Sequence, residues 1–262
     1  MKGPYPEIQA VIAYIHEQIH EPLALQDLAK YAGYSPYHFS RIFKEQIGLS
    51  PLYYVSALRL QKAKDLLLQT NLSVRDIGLE IGQQSLGTFT TRFTDRVGVS
   101  PAHFRQSQLQ TDQQLRSLQN LTRWHAQKPH HDPTIEGTIH TETPFKGIVF
   151  VGLFAKPIPE GLPLYGTIVS SEGHFVLPHV QPGTYYLMAT SVSWGMHAKD
   201  ILLPHQTLRG RSRSPITVKP TGKVPHQNVT LHPPRLGDPP ILISLPLLMS
   251  RFLSRFNHGQ QI

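Results

Sequence analysis

The chain has 262 residues, 39% of them hydrophobic and 16% charged, which fits a folded protein with a sizeable core and not a disordered chain. It contains no cysteine, which excludes disulfide staples, thiolate metal sites and cysteine nucleophiles. A formal net charge of +8 favours a polyanionic partner, yet residues 1–107 carry 11 Lys and Arg against 9 Asp and Glu while the rest carry 14 against 8, so charge alone does not single out the first part.

Met1 to Ile15 lacks the basic start, apolar run and cleavage site of a signal peptide. The longest apolar run, Ile241 to Met249, is interrupted by Ser244 and Pro246 and falls well short of the ~18 residues that span a bilayer. A cytosolic, non-membrane protein is expected. Apolar residues recur at helical spacing in Ile8, Val11, Ile12, Ile15 and Ile19, then in Leu25, Leu28 and Ala29, then in Leu58, Leu60, Leu66 and Leu67. The first hundred residues are therefore read as helices. A Gln-rich stretch from Gln106 to Gln127, with Leu109, Leu115, Leu118 and Leu121, predicts a connecting helix. His125 to Pro133 reads as a linker.

Beyond it the pattern changes to short apolar or alternating runs broken by Pro and Gly. Strands are predicted at Thr134–Ile139, Lys146–Phe154, Leu164–Ser170, His174–Leu177, Thr184–Ala189, Ile216–Lys219 and Asn228–Leu231, with turns at Glu172-Gly173 and Pro182-Gly183. About seven strands at this spacing predict an all-β sandwich. The tail from Gly237 is less readable, although Leu247, Leu248, Phe252 and Phe256 would share one face of a helix.

Residues 25–101 contain an internal repeat. Leu28, Ala29 and Gly33 match Ile77, Gly78 and Gly82 at an offset of 49, and Ser35, Phe39, Phe43, Gly48, Ser50 and Pro51 match Ser85, Phe89, Phe93, Gly98, Ser100 and Pro101 at an offset of 50. The added residue falls between Gly82 and Ser85, where a turn can absorb it. In each copy a short helix ends near Gly33 or Gly82, which tolerates a left-handed turn. Ala29 or Gly78 lets the next helix cross closely. Ser35 or Ser85 caps that helix, two Phe residues at i, i+4 anchor it, and Gly48 or Gly98 ends it. This is a helix-turn-helix, written twice.

With Phe39, Ile42 and Phe43 facing inward, the outward stripe of the first recognition helix is Tyr37, Ser40, Arg41 and Lys44. The Arg41 guanidinium suits guanine O6 and N7, Tyr37 and Ser40 suit base edges or a thymine methyl, and Lys44 and His38 suit phosphate. The alternative is a solvated surface. The second stripe is Gly87, Thr90, Thr91 and Thr94, which carries no charge, with Arg92 leaning to its flank. The first unit is thus expected to supply most base recognition and the second mainly to dock.

These residues resemble the AraC/XylS family of bacterial regulators. The resemblance covers roughly residues 8–106, through the leading helix VIAYIHEQIHEPLAL, both helix-turn-helix units, the joining helix PLYYVSALRLQKAKDLL and the closing GVSPAHFR. It implies two recognition helices entering successive major-groove segments of one face of double-stranded DNA, held apart by a long helix. Two positions depart from the family: Gln83 stands where an aromatic is usual, and the Arg usual at Thr91 is displaced to Arg92. The stretch GHFVLPHVQPGTYYLMA, with VTLHPP further on, resembles the carboxypeptidase regulatory-like, transthyretin-type sandwich over about residues 134–235. That resemblance implies a binding or packing domain without catalytic residues.

The expected architecture is therefore multidomain α and β: an all-α double helix-turn-helix DNA-binding domain at 1–107, a connecting helix and linker at 108–133, an all-β sandwich at 134–235 and a tail with a helical pattern at 236–262. Double-stranded DNA is the expected partner. RNA polymerase, an effector of unidentified kind and a second copy of the chain are further candidates. No enzyme activity, cofactor or metal is expected. His16-Glu17-Gln18-Ile19-His20 fits the zinc-protease pattern HExxH, but Pro22 follows at once and no third ligand is evident. His125, His130 and His131 lie in the linker. Arg209, Arg211 and Arg213 read as a basic loop, either merely solvated or making auxiliary phosphate contacts.

Overall fold

In the computed structural model, which describes residues 5–83, 85–120, 134–171, 173–212 and 214–259, the helical periodicity of the first part resolves into α1 Pro6–Glu17, α2 Leu25–Tyr31, α3 Pro36–Ile47, α4 Pro51–Gln69, α5 Val74–Glu80, α6 Leu86–Val97, α7 Pro101–Gln106 and α8 Gln108–Gln119. The linker histidines His125, His130 and His131, the turn residue Glu172 and Arg213 lie outside the described residues. The chain divides into two compact units, residues 1–105 with 235–242, and residues 106–234 with 243–262.

The first unit is all-helical apart from its last segment. Ile8, Val11, Ile12 and Ile15 bury one face of α1, as their 3.6-residue spacing requires. The 19 residues of α4 form a rod about 28 Å long. Tyr54, Ala57, Leu58, Leu60, Ala63 and Leu67 are buried on it, and it contacts both α3 and α5, so one helix is shared by the two repeats.

The sequence reading ended the sandwich at 235 and found the tail from Gly237 less readable, whereas residues 235–242 belong to the helical unit. They form no regular element and pack on the helical unit. A Cβ added to Gly237 would lie 3.2 Å from Ile47 Cδ1 and 3.3 Å from Ile12 Cδ1, so the strap fits closely there. Lys64 of α4 is buried, and its Nζ donates to the carbonyls of Ile241 at 3.1 Å and Leu242 at 3.3 Å. The same Nζ lies 5.5 Å from the centroid of the Phe104 ring. Burial pulls the Lys64 ammonium down to about 7, with neighbouring Asp65 acting weakly in the opposite direction.

The second unit holds two sheets. One has the order β4-β1-β8, from β1 Ile135–Thr141, β4 Gly173–Leu177 and β8 Gln227–Leu231, with β1 and β8 parallel. The other has the order β3-β2-β5-β6, from β2 Gly147–Phe154, β3 Tyr165–Ser170, β5 Gly183–Ser193 and β6 Arg209–Arg211, and β7 Ile216–Val218 also pairs with β5. Ile135, Ile139, Phe175 and Val229 from the first sheet share one core with Val149, Val151, Leu153 and Leu187 from the second, which makes the pair a sandwich. All eight residues of β2 are buried, its alternate residues Ile148 and Phe150 lying on the face away from that core. Among the described residues three helices complete this unit: α8, α9 Ala198–Leu202 and α10 Leu245–Gly259 pack on one another. The Asp112 carboxylate of α8 accepts from the Ala198 N–H at 3.1 Å, holding the first turn of α9.

Two features correct the sequence reading. Arg209 and Arg211 lie in a strand and not in a loop: β6 pairs with β5, and the Arg209 guanidinium donates to the carbonyls of Pro204 at 2.7 Å and His205 at 3.1 Å. Helix α9 had no predicted counterpart. Among the described residues no helix is long and apolar enough to cross a membrane.

The Lys64 amine binds a proton more weakly in the fold than its ordinary value of 10.5. Between about 7 and that value the unfolded chain holds the proton and the folded chain does not, so folding stability rises with pH across this window. Urea midpoints measured from pH 7 to pH 9 should climb for the parent chain, and the climb should flatten in Lys64→Met. Equal slopes for the two proteins would contradict the assignment.

Candidate nucleic-acid interface

The turns that lead into α3 and α6 match bond for bond. After α2, Gly33 adopts φ 71° and Tyr34 N–H donates to Ala29 O at 2.9 Å. After α5, Gly82 adopts φ 76° and Gln83 N–H donates to Gly78 O at 2.8 Å. With Gly33 N–H on Lys30 O and Gly82 N–H on Leu79 O, both turns are Schellman motifs. A side chain at either glycine would be strained by the left-handed backbone. The Ser35 hydroxyl accepts from His38 N–H at 3.4 Å, and the Ser85 hydroxyl accepts from Thr88 N–H at 3.4 Å, capping α3 and α6 identically. The close crossing expected at the small residue is present: a Cβ on Gly78 would sit 3.3 Å from the Phe89 ring.

Each recognition helix is anchored by a run of three rings. Phe39 and Phe43 lie 5.6 Å apart between centroids, and Phe43 and Tyr54 5.7 Å. Phe89 and Phe93 lie 5.8 Å apart, and Phe93 and Phe104 5.8 Å. The third ring escaped the sequence reading, although Tyr54 and Phe104 stand at the same offset of 50 as the rest of the repeat. Extending the repeat three residues past Pro51 and Pro101 would have found it. Tyr54 also shares a hydrogen bond with His16 at 3.2 Å. Burial raises the Tyr54 phenol far above its ordinary range and lowers the His16 imidazole.

Opposite these anchors lie the readout candidates. Tyr37, Arg41 and Lys44 are exposed, Tyr37 by 83%, while His38 and Ser40 are half-exposed. The Arg41 guanidinium donates to His38 Nδ1 at 3.4 Å and approaches the Glu45 carboxylate at 3.6 Å, so these side chains form one surface cluster. At such exposure the ion pair is weak and yields readily to a stronger anion. On α6, Gly87, Thr91 and Arg92 are exposed and Thr90 and Thr94 half-buried. The structure joins the two departures noted in the sequence: Arg92 Nη1 donates to Gln83 Oε1 at 3.1 Å. The other cation of α6, Arg96, donates to Ser56 Oγ at 3.0 Å and lies 4.6 Å from the Tyr53 ring centroid, tying α6 to α4.

The HExxH pentapeptide does not form a metal face. Helix α1 stops at Glu17, His16 is engaged by Tyr54, and His20 lies past the helix, 3.9 Å from the Glu80 carboxylate. Among the described residues no group of three or more His, Asp and Glu is placed to hold a metal ion.

Residues 28–107 match the family model described as a helix-turn-helix domain. The chain is 38% identical over 96 residues to the uncharacterized HTH-type transcriptional regulator YobQ of Bacillus subtilis, covering 37% of this chain and 40% of that protein. It is 32% identical over 100 residues to the HTH-type transcriptional activator AarP of Providencia stuartii, covering 38% of this chain and 74% of that one. A solved transcriptional regulator from Chromobacterium violaceum, of the proteins containing an AraC-type DNA-binding domain, matches with 32% identity and a TM-score of 0.38 over 39% of this chain and 91% of the other. The chain thus spans less than half the length of the first of these relatives.

The division between anchoring and outward faces can be measured on one helix. Phe39→Ala should lower folding stability by about 3–5 kcal/mol, the usual cost of emptying a buried aromatic site. Tyr37→Ala, two residues away, should stay within about 0.5 kcal/mol of the parent. Chemical denaturation reads both, and a large loss for Tyr37→Ala would place that ring in the core.

Proposed function

The chain belongs to the AraC/XylS-like superfamily of helix-turn-helix transcriptional regulators, and on that premise we propose that it is a sequence-specific regulator of transcription that grips double-stranded DNA with α3 and α6. One observation carries the reading: two serine-capped, Phe-anchored helices sit in repeats joined by the long helix α4, and the first turns Tyr37, Ser40, Arg41 and Lys44 outward. A major groove admits such a helix, and its phosphates supply anions that outcompete Glu45 for Arg41.

The division of labour follows from chemistry. Lys44 and His38 contact phosphate and set affinity and register, while Arg41, Tyr37 and Ser40 contact base edges and set sequence preference. Gly87, Thr90, Thr91 and Thr94 face the second groove segment, and Arg92 meets the backbone beside it. The sandwich of the second unit, of carboxypeptidase regulatory-like type, serves as an effector-binding or interaction domain. RNA polymerase, an effector and a second copy of the chain are the partners through which binding would become regulation.

Binding to random duplex DNA should weaken steeply with salt, because neutralised phosphates release counterions. Lys44→Ala should reduce that slope by about one and weaken all sequences alike. Arg41→Ala should cost about 1–3 kcal/mol on the selected site and relax preference at one base pair. A parent chain whose duplex binding is absent or indifferent to salt would instead be an interaction protein built on the same helices.

A further inference from the structure

We propose that α6 reads thymine through its 5-methyl group, so that the DNA segment facing α6 is rich in A·T pairs with thymines at the contacted positions. The inference rests on the reading that α6 enters a major groove, and it names what α6 recognises there.

The stripe of α6 opposite its Phe anchors is Leu86, Gly87, Thr90, Thr91 and Thr94, with Leu86, Gly87 and Thr91 exposed, Thr90 and Thr94 half-buried, and exposed Thr88, Arg92 and Asp95 at its flanks. Leu86 occupies the first helical position and is 47% exposed. The N-terminal turns of a recognition helix are those that reach base edges, so Leu86 is placed to offer an apolar contact there. Gly87 has nothing nearer to its missing Cβ than Ser85 Oγ at 3.9 Å, so this point of the helix offers open space for close approach. Thr94 donates its hydroxyl to the Thr90 carbonyl at 2.8 Å, which leaves the methyl as its unengaged group. Thr90 and Thr91 are β-branched, so each holds its methyl in one of few rotamers.

The cations of α6 lie beside this stripe and not on it. Arg92 is exposed at its flank, where it donates to Gln83 in the turn and is placed for phosphate, and Arg96 is held against Ser56 and Tyr53. A bidentate grip on guanine of the kind Arg41 can make therefore has no donor on the stripe. Of the four bases only thymine projects a methyl into the major groove, and small apolar groups such as the threonine methyl are its fitting partners. The chemistry of the two helices is thus complementary: a guanidinium on α3 suits guanine, and a methyl-lined stripe on α6 suits thymine.

The test uses the full chain and a duplex selected from random sequence. The segment read by α3 is first located as the one whose preference relaxes in Arg41→Ala, which assigns the remaining segment to α6. Thymines in that segment are then replaced singly by deoxyuridine, which deletes the methyl and keeps every hydrogen-bonding group. Affinity should fall about fourfold for each contacted methyl, the value of one buried carbon. The double variant Thr90→Ser and Thr91→Ser, which keeps the hydroxyls and loses the methyls, should bind the parent duplex more weakly and respond less to deoxyuridine. Thr90→Val with Thr91→Val, which keeps the methyls, should retain both affinity and deoxyuridine sensitivity. A selected α6 segment rich in G·C pairs would overturn the proposal, as would deoxyuridine duplexes that bind as tightly as the thymine originals. Either result leaves the regulator reading standing. Loss of duplex binding altogether in the parent chain would instead remove both.

Discussion

Phe39, Phe43 and Tyr54 in the first repeat, and Phe89, Phe93 and Phe104 in the second, are buried rings in contact. Two aromatics at i and i+4 lock the rotation of a helix about its own axis, because only one orientation sinks both rings. The third ring comes from a different helix, so it also fixes the depth at which the first two sit. Once these contacts form, the residues two positions before Phe39 and Phe89, and one and two positions after them, have no core to enter. Tyr37, Ser40 and Arg41, and Gly87, Thr90 and Thr91, are outward because the rings are inward. The candidate interface is in this sense the complement of the core and needs no separate explanation for its exposure.

Much of this was legible because it is local. A serine cap, a glycine after a short helix and a Phe pair four residues apart all act within a dozen residues, and their repetition at an offset of 49 to 50 made each more readable than it would be alone. The sandwich strands were legible for a similar reason, since apolar runs between Pro and Gly turns leave few alternatives. The third ring of each repeat was present in the sequence but fell beyond the last residue compared. What could not be read is what tertiary contact decides. The Arg-Gly-Arg of β6 has no apolar alternation to announce a strand. Its glycine is dictated by a distant neighbour, as a Cβ on Gly210 would lie 2.6 Å from the Thr230 carbonyl oxygen.

Lys64 is the sharpest case. It stands four residues after Leu60 and three before Leu67, on a helical stripe that is otherwise apolar, and a reader of periodicity alone would count it an interruption. Its partners are backbone carbonyls 177 and 178 residues away, which no local pattern can reveal. A buried ammonium without acceptors would be severely penalised, whereas one that donates to two carbonyls and rests on the Phe104 ring is tolerable. Those acceptors come from a strap that belongs to the helical unit although it follows the sandwich in sequence. The core of the helical unit therefore includes a polar contact made by a segment outside residues 28–107, the region matched by the helix-turn-helix family model.

The asymmetry between α3 and α6 resolves the puzzle posed by the charge. If this chain relied on cations for both affinity and base reading at both helices, residues 1–107 would need more than the small excess of Lys and Arg they carry. The structure shows where several of those cations go. Lys64 is buried, Arg59 donates to the carbonyls of Ile19 and Glu21, Arg105 donates to those of Leu67 and Leu72, and Arg96 is held against Tyr53. They hold helices together. What remains outward on the recognition helices is a short list, with Arg41 and Lys44 on α3 and Arg92 at the flank of α6. On the proposed reading, specificity comes from the one stripe-borne guanidinium on α3 and from uncharged groups on α6. On that reading discrimination rests on methyl contact at one helix and on hydrogen bonding at the other.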